Sequence, residues 1–115
     1  MAKSKKNFKL REQEILRGKN NFNRIFEFGN VISGHNVSMI YIEAESRKVG
    51  FVVSKKVKKA VSRNRYKRLL KEIYRLNKEK FPEKVHIILL AKGRSDNFRE
   101  LQNEIFELLK NIHHI

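Results

Sequence analysis

Residues 54–78 read SKKVKKAVSRNRYKRLLKEIYRLNK, and two patterns are superimposed in that stretch. Ala60, Val61, Leu69, Leu70, Ile73 and Leu76 recur at three- and four-residue intervals, which predicts one long amphipathic helix over Val57 to Lys78. At 100° per residue, Tyr66, Leu69, Leu70, Ile73 and Leu76 share one side, the side to be buried on a sheet. Opposite them, Asn64, Lys67, Arg68, Lys71, Arg75 and Lys78 follow one another as a cationic ridge, with Glu72 off its centre and within reach of Arg68 or Arg75. Like charges at this spacing repel by about a few tenths of a kcal/mol per pair. A phosphate backbone along the ridge reverses that cost through neutralisation and counterion release. Within the helix, Arg63-Asn64-Arg65-Tyr66 supplies two guanidinium forks, each able to grip paired phosphate oxygens or to stack on a base. Two Arg flanking one Asn fan over a wide angle, so Arg65 is expected to sit partly against protein.

The flanking segments supply what such a helix would pack on. Asn20, Asn21, Phe22, Ile25, Phe26 and Gly29 read as a short helix with an Asn cap and a glycine stop. Val37 to Glu43 and Lys48 to Ser54 are rich in β-branched and aromatic residues, and Ala44 to Arg47 can turn between them, which predicts a hairpin. Val31 and Ile32 open the sheet as an earlier strand, before the breaker Ser33-Gly34-His35-Asn36. Pro82, the only proline, marks a connection, and Val85 to Leu90 reads as a central strand. A last helix from about Asn97 to Asn111 aligns Phe98, Leu101, Ile105, Leu108 and Ile112, capped by Ser95 or Asp96. The order α-β-β-β-α-β-α makes an α+β sandwich, a sheet backed by helices.

Across 115 residues, 27 Lys and Arg against 12 Asp and Glu leave a net charge of +15, with a pI of about 10.3. The charge is unevenly placed. Residues 55–75 carry ten basic side chains and one acid, Glu72, which is +9 of the total. Lys3, Lys5, Lys6, Lys9 and Arg11 add a second, acid-free block within a basic arm over 1–15, whereas Asp96, Glu100, Glu104 and Glu107 near the other end face only Arg99 and Lys110. With 40% hydrophobic residues the chain can bury a core, and it reads as a single domain over 1–115. No cysteine means no disulfide, thiolate metal site or cysteine nucleophile. The longest apolar run, Val85 to Ala91, is too short to cross a bilayer and the amino terminus has no secretory apolar block, so the expectation is a cytoplasmic protein with a polyanionic partner.

The stretch Ser54-Lys-Lys-Val through Ala60-Val61 to Arg63-Asn64-Arg65 and Lys67-Arg68 resembles the signature of the bacterial ribonuclease P protein subunit. Leu16-Arg17, the pair Phe22 and Phe26 ahead of Gly29, the strand Val49-Gly50-Phe51-Val52-Val53, the run Val85 to Ala91 and the final helix follow in the family's order, so the resemblance spans Leu16 to Leu109. It implies a two-layer α-β-β-β-α-β-α sandwich with a four-stranded sheet and a left-handed β-α-β crossover, a fold shared with a domain of a small-subunit ribosomal protein. It also implies partners: a catalytic RNA that cuts precursor tRNA with bound magnesium (Mg), and a protein that holds the 5′ leader. Carried over by position, Arg63, Asn64, Arg65, Lys67 and Arg68 contact the catalytic RNA. Lys55, Lys56, Lys59, Lys71 and Arg75 extend that RNA-binding surface, and Phe22, Phe26 and Ile40 line the leader cleft, where stacking suits single strands of varied sequence. Three positions depart from the family pattern. Lys58 replaces a usual Gly, Lys71 a common Arg, and Ile40 an aromatic present in some relatives, while Tyr41 should face the other side of the sheet.

A protein nuclease would need carboxylates for metals or a partnered His to move protons. Asp96 is the only Asp, Glu43 and Glu45 sit at a strand end, and His113 and His114 adjoin at the carboxyl end. No catalytic residue is assigned to the chain, and the chemistry is expected in the RNA. The rival reading is a general RNA-binding protein such as a ribosomal component. A binder of acidic membranes would need a free apolar face, which the sheet covers here, and neither a membrane nor DNA is expected as a partner.

Overall fold

The computed structural model describes residues 10–112. Three α-helices, α1 (Lys19–Phe28), α2 (Ala60–Leu76) and α3 (Phe98–Lys110), accompany four strands: β1 (Asn30–Ser33), β2 (Val37–Glu43), β3 (Lys48–Val53) and β4 (Val85–Ala91). The order along the chain is the α-β-β-β-α-β-α expected, and the class is α+β. The sheet order is β1-β2-β4-β3, with β4 antiparallel to β2 and parallel to β3.

The expected β2–β3 hairpin therefore does not form. Strand β4, Val-His-Ile-Ile-Leu-Leu-Ala, is apolar on both faces and takes the central place between them. Residues 44–47 still connect β2 to β3, because four extended residues reach about 13 Å and alternate strands lie only about 10 Å apart. Arg47 fixes the far end of this bridge, donating from Nε to Tyr74 Oη at 2.9 Å and from one terminal nitrogen to the Lys78 and Phe81 carbonyls, each at 3.1 Å.

Helices cover both sheet faces. On one face, Met39, Tyr41, Val49, Phe51, Ile87 and Leu89 join Tyr66, Leu70, Ile73 and Tyr74 of α2 and Leu101, Ile105 and Leu108 of α3 in the main core. On the other, Ile25 of α1 packs with Leu16, Ile40 and Ile88. Tyr41 thus faces away from Ile40, as the alternation predicts.

Several local expectations shift. α2 begins at Ala60, so Val57 lies in the preceding loop, packed on the core, and Val61, which continues the apolar periodicity, is 80% exposed. The N-cap of α1 is Gly18 at φ +92°, a left-handed conformation that suits glycine, and no Asn side chain caps the helix. α3 is capped by Asn97, whose Oδ1 accepts from the Glu100 N–H at 2.9 Å, one residue later than expected, which leaves Asp96 outside the helix. Lys58 needs no left-handed backbone, since no described residue other than glycine has positive φ.

Candidate nucleic-acid interface

Arg63, on the first turn of α2, points back into the loop that precedes it. One terminal nitrogen donates to the Ser54 carbonyl at 2.9 Å and the Val57 carbonyl at 2.8 Å, and the other to the Val53 carbonyl at 3.2 Å. This one side chain closes the turn between β3 and α2. Lys55, Lys56, Lys58 and Lys59 are held on its rim and are all exposed. The first turn of α2 carries no acid and no side-chain cap, so its N–H groups and dipole add to the positive field there.

Arg65 sits partly against protein, as expected: it is 59% exposed and its Nε meets Asp96 Oδ2 at 2.9 Å, while Arg63 is the more enclosed of the two, held by backbone carbonyls. Asn64, Arg68 and Lys71 lie exposed along one helix stripe, with Lys67 half-buried beside them. The ridge ends sooner than its periodicity suggests. Arg75 donates to both Glu72 oxygens, and this bond holds the Glu72 carboxyl below its usual range. Lys78 lies beyond the helix end, where its Nζ donates to Glu14 Oε2 at 2.8 Å with the side chain only 12% exposed.

Glu14 was not legible as a functional anchor. Tyr74 Oη donates to its Oε1 at 2.5 Å, and Arg47 approaches the same oxygen at 3.9 Å. Burial pushes the Glu14 carboxyl up, but the bonds from Lys78 and Tyr74 together outweigh it and hold the group below its ordinary value. Tyr74 is driven well above the usual phenol range, first by burial and then by its bond to Glu14. The cluster ties residues 11–15 to the end of α2, and the Leu16 N–H donates to the Val49 carbonyl at 3.0 Å just before α1 begins. The only cue in the sequence was an acid two residues ahead of Leu16 in a basic chain.

On the α1 face of the sheet the rungs run Val52, Leu90, Ser38, Ser33, then Gly50, Ile88, Ile40, Val31, then Lys48, His86, Ile42. α1 crosses the middle rung. Phe22 lies over Gly50 so closely that a Cβ there would stand 2.6 Å from the ring, which is why this position has no side chain. Ile40, expected in the cleft, is 4% exposed beneath α1 and belongs to the small core instead. Its covering helix was the part alternation could not reveal. Phe26 is 46% exposed, and Val52 and Leu90 are only partly covered. Phe28 and Val31 are exposed as well, but Phe28, four residues after Arg24, lies on the other flank of α1 from Phe26. Lys3, Lys5, Lys6, Lys9, His113 and His114 lie outside the described residues. Among the described residues no group of three potential His, Cys, Asp or Glu ligands could hold a metal ion, and no helix is long and apolar enough to cross a membrane.

The family model described as Ribonuclease P matches residues 10–113. A ribonuclease P protein component of Natranaerobius thermophilus is 38% identical over 93 residues, covering 77% of this chain and 81% of that protein. One from Petrotoga mobilis is 32% identical over 111 residues, 90% of this chain and 94% of its own. Among solved structures, the RNase P protein from Thermotoga maritima superimposes with a TM-score of 0.78 at 27% identity, covering 88% of this chain and 99% of that one. A Staphylococcus aureus RNase P protein, at 23% identity and a TM-score of 0.77, shares the fold.

Proposed function

The chain belongs to the ribonuclease P protein family, the protein component of an endoribonuclease that matures tRNA 5′ ends, and from that premise we propose how its two surfaces divide the work. The exposed cations of the 54–59 loop and the stripe Asn64, Arg68 and Lys71, with Arg65 and Lys67, dock the catalytic RNA through its phosphates. The apolar half-cleft of Phe22, Phe26, Val52 and Leu90 receives the 5′ leader of precursor tRNA, by stacking and apolar contact without base-specific hydrogen bonds. One observation carries the reading: an almost acid-free cationic helix start adjoins the partly covered Val52–Leu90 rung of the sheet, so one RNA-binding surface borders the other.

The assignments within this surface differ by role. Arg63 shapes the loop and the exposed lysines meet phosphate. Arg75 keeps Glu72 as its partner and reaches RNA only at the edge of the surface. Ile40 supports α1 from below and acts on the leader through the placement of Phe22 and Phe26. The magnesium that the family implies would be held mainly by the RNA and its phosphates; among the described residues no group of three His, Cys, Asp or Glu could hold a metal ion. Cleavage chemistry falls to the RNA in a cytoplasmic ribonucleoprotein.

The test is cleavage of precursor tRNA by the cognate catalytic RNA at low magnesium, with and without this chain. Stimulation is expected, and its absence refutes the reading.

A further inference from the structure

The first turns of α1 have two flanks. Phe22 and Phe26 border the apolar cleft, while Asn21 and Arg24, three residues apart, occupy another stripe of the helix, in line with Arg17 before it. The lowest rung of the sheet on this face pairs Lys48 of β3 with His86 of β4 as direct cross-strand neighbours. A recess of about 450 Å³ lies there, walled by Glu12, Gln13, Arg17, Asn21, Lys48 and His86. A second, of about 630 Å³, is walled by Arg24, Glu43, Glu45, Ser46 and His86. His86 is common to both.

We propose that Arg24, Lys48 and His86 form a second phosphate site across α1 from the leader cleft, taking an RNA phosphodiester; this rests on the RNA-binding reading above. Among the described residues neither the Arg24 nor the Lys48 side chain has an ion-pair or hydrogen-bond partner. Their charges converge on His86, whose imidazole is held below its ordinary value first by partial burial, then by Lys48 and by Arg24. Acids also border the site: Glu12, held by Arg17 at 3.2 Å, lines the first recess, and Glu43 and Glu45 line the second beside Arg24. Lys48 and Arg24 both oppose a charged His86. A phosphodiester between them supplies a counter-charge and acceptors for an ammonium, a guanidinium and an imidazole N–H.

Binding is then linked to a proton. A phosphate beside His86 favours the imidazolium, so the anion raises the pKa and the complex tightens as pH falls. The charged groups facing the site are Glu12, Arg17, Arg24, Glu43, Glu45 and Lys48, and His86 is the one imidazole among them.

The experiment titrates the His86 imidazole resonance by NMR in the full chain, with inorganic phosphate and with a short single-stranded RNA as probes. Saturable shifts and a raised midpoint pH are expected in the wild-type chain. Both are expected to vanish in the double variant Arg24→Gln, Lys48→Gln, which replaces side chains outside the core and is checked by its melting curve. In the reconstituted complex, the double variant should flatten the salt dependence of affinity by about one counterion. A leader phosphate as the source makes the loss grow with leader length and disappear on mature tRNA. A phosphate of the catalytic RNA makes the loss equal with no tRNA present. Silence of His86 towards both probes overturns the site, and a phosphate response with unchanged affinity in both arms overturns its assignment to RNA. Cleavage stimulation by the wild-type chain reports separately on the subunit reading, so the two can fail independently.

Discussion

Replacing Arg63 with Ala should unfold the chain sooner without removing a phosphate contact, and replacing Arg68 should do the reverse. Arg63 makes three bonds to the carbonyls of Val53, Ser54 and Val57, all partly buried. With about 1 kcal/mol net for each bond, and water free to reach part of the vacated space, the loss is about 3 kcal/mol. For a domain near this length about 4 °C accompanies each kcal/mol, so the melting midpoint falls by roughly 12 °C. Arg63→Lys keeps the charge but cannot span three carbonyls, and should lose most of the same stability. Arg68 is exposed and makes no bond of this kind. Arg68→Ala should leave the melting midpoint nearly unchanged and lower the slope of log affinity against log salt by about 0.7–0.9. Calorimetric melting of the free variants and binding isotherms at several salt concentrations separate the two effects. If Arg63→Ala melts with the wild type and loses a full counterion, the loop-staple reading is wrong and Arg63 is a phosphate ligand.

Three further outcomes follow from the geometry. Phe26→Ala should weaken binding of substrate with a leader more than binding of mature tRNA while leaving stability intact, whereas Phe22→Ala, which uncovers Gly50, should also lower the melting midpoint; equal losses for both tRNAs would remove the leader role. Glu14, with its folded-state pKa held below its ordinary value, contributes stability that is present above the unfolded-state pKa and lost as pH falls through the folded value, so the gap in melting midpoint between wild type and Glu14→Gln should close on acidification. A pH-independent gap would exclude the ionised carboxylate as its source. Asp96→Asn removes the charge paired with Arg65 and should tighten RNA binding by about a fewfold, in line with the modest worth of exposed ion pairs; unchanged affinity would mean that RNA does not use Arg65.

Local pattern carried the helices and strands, because a 3.6-residue period or an alternation is written into adjacent residues. It could not carry the pairing. The β2–β3 connector looked like a turn, and only the arrival of β4, after the whole of α2, decided that these strands stand apart. The same limit applies to the site. Arg63 and Arg65 are two residues apart on one helix, and their spacing cannot say which meets the loop carbonyls and which meets Asp96. Lys78 continued the ridge by periodicity, but α2 ends at Leu76 and a carboxylate 64 positions earlier draws the lysine inward. Ile40 was placed on the correct face, yet its exposure depended on where α1 crosses. Exposed cations of the loop and ridge were legible because nothing distant had to be known about them.

Arg63 also explains why the two proposed RNA surfaces meet where they do. Val52 lines the partly covered rung of the leader cleft, and Val53, the next residue, faces the main core with its carbonyl held by Arg63. Two residues further on, Lys55 and Lys56 leave the same short turn towards solvent, and the Lys56 N–H is itself bonded to Ser54 Oγ at 3.2 Å. A guanidinium is suited to this position because it offers several fixed donors to carbonyls that point in different directions and keeps its charge in doing so. The chain thus uses a cation as a structural clamp in a region already crowded with cations, a choice that costs repulsion in the free protein and is offset when phosphate arrives. Displacement of that one side chain would move the lysines and the cleft edge together, so the border between the leader site and the catalytic-RNA site is set by backbone geometry at residues 53–57 and by α2 only through its first turn.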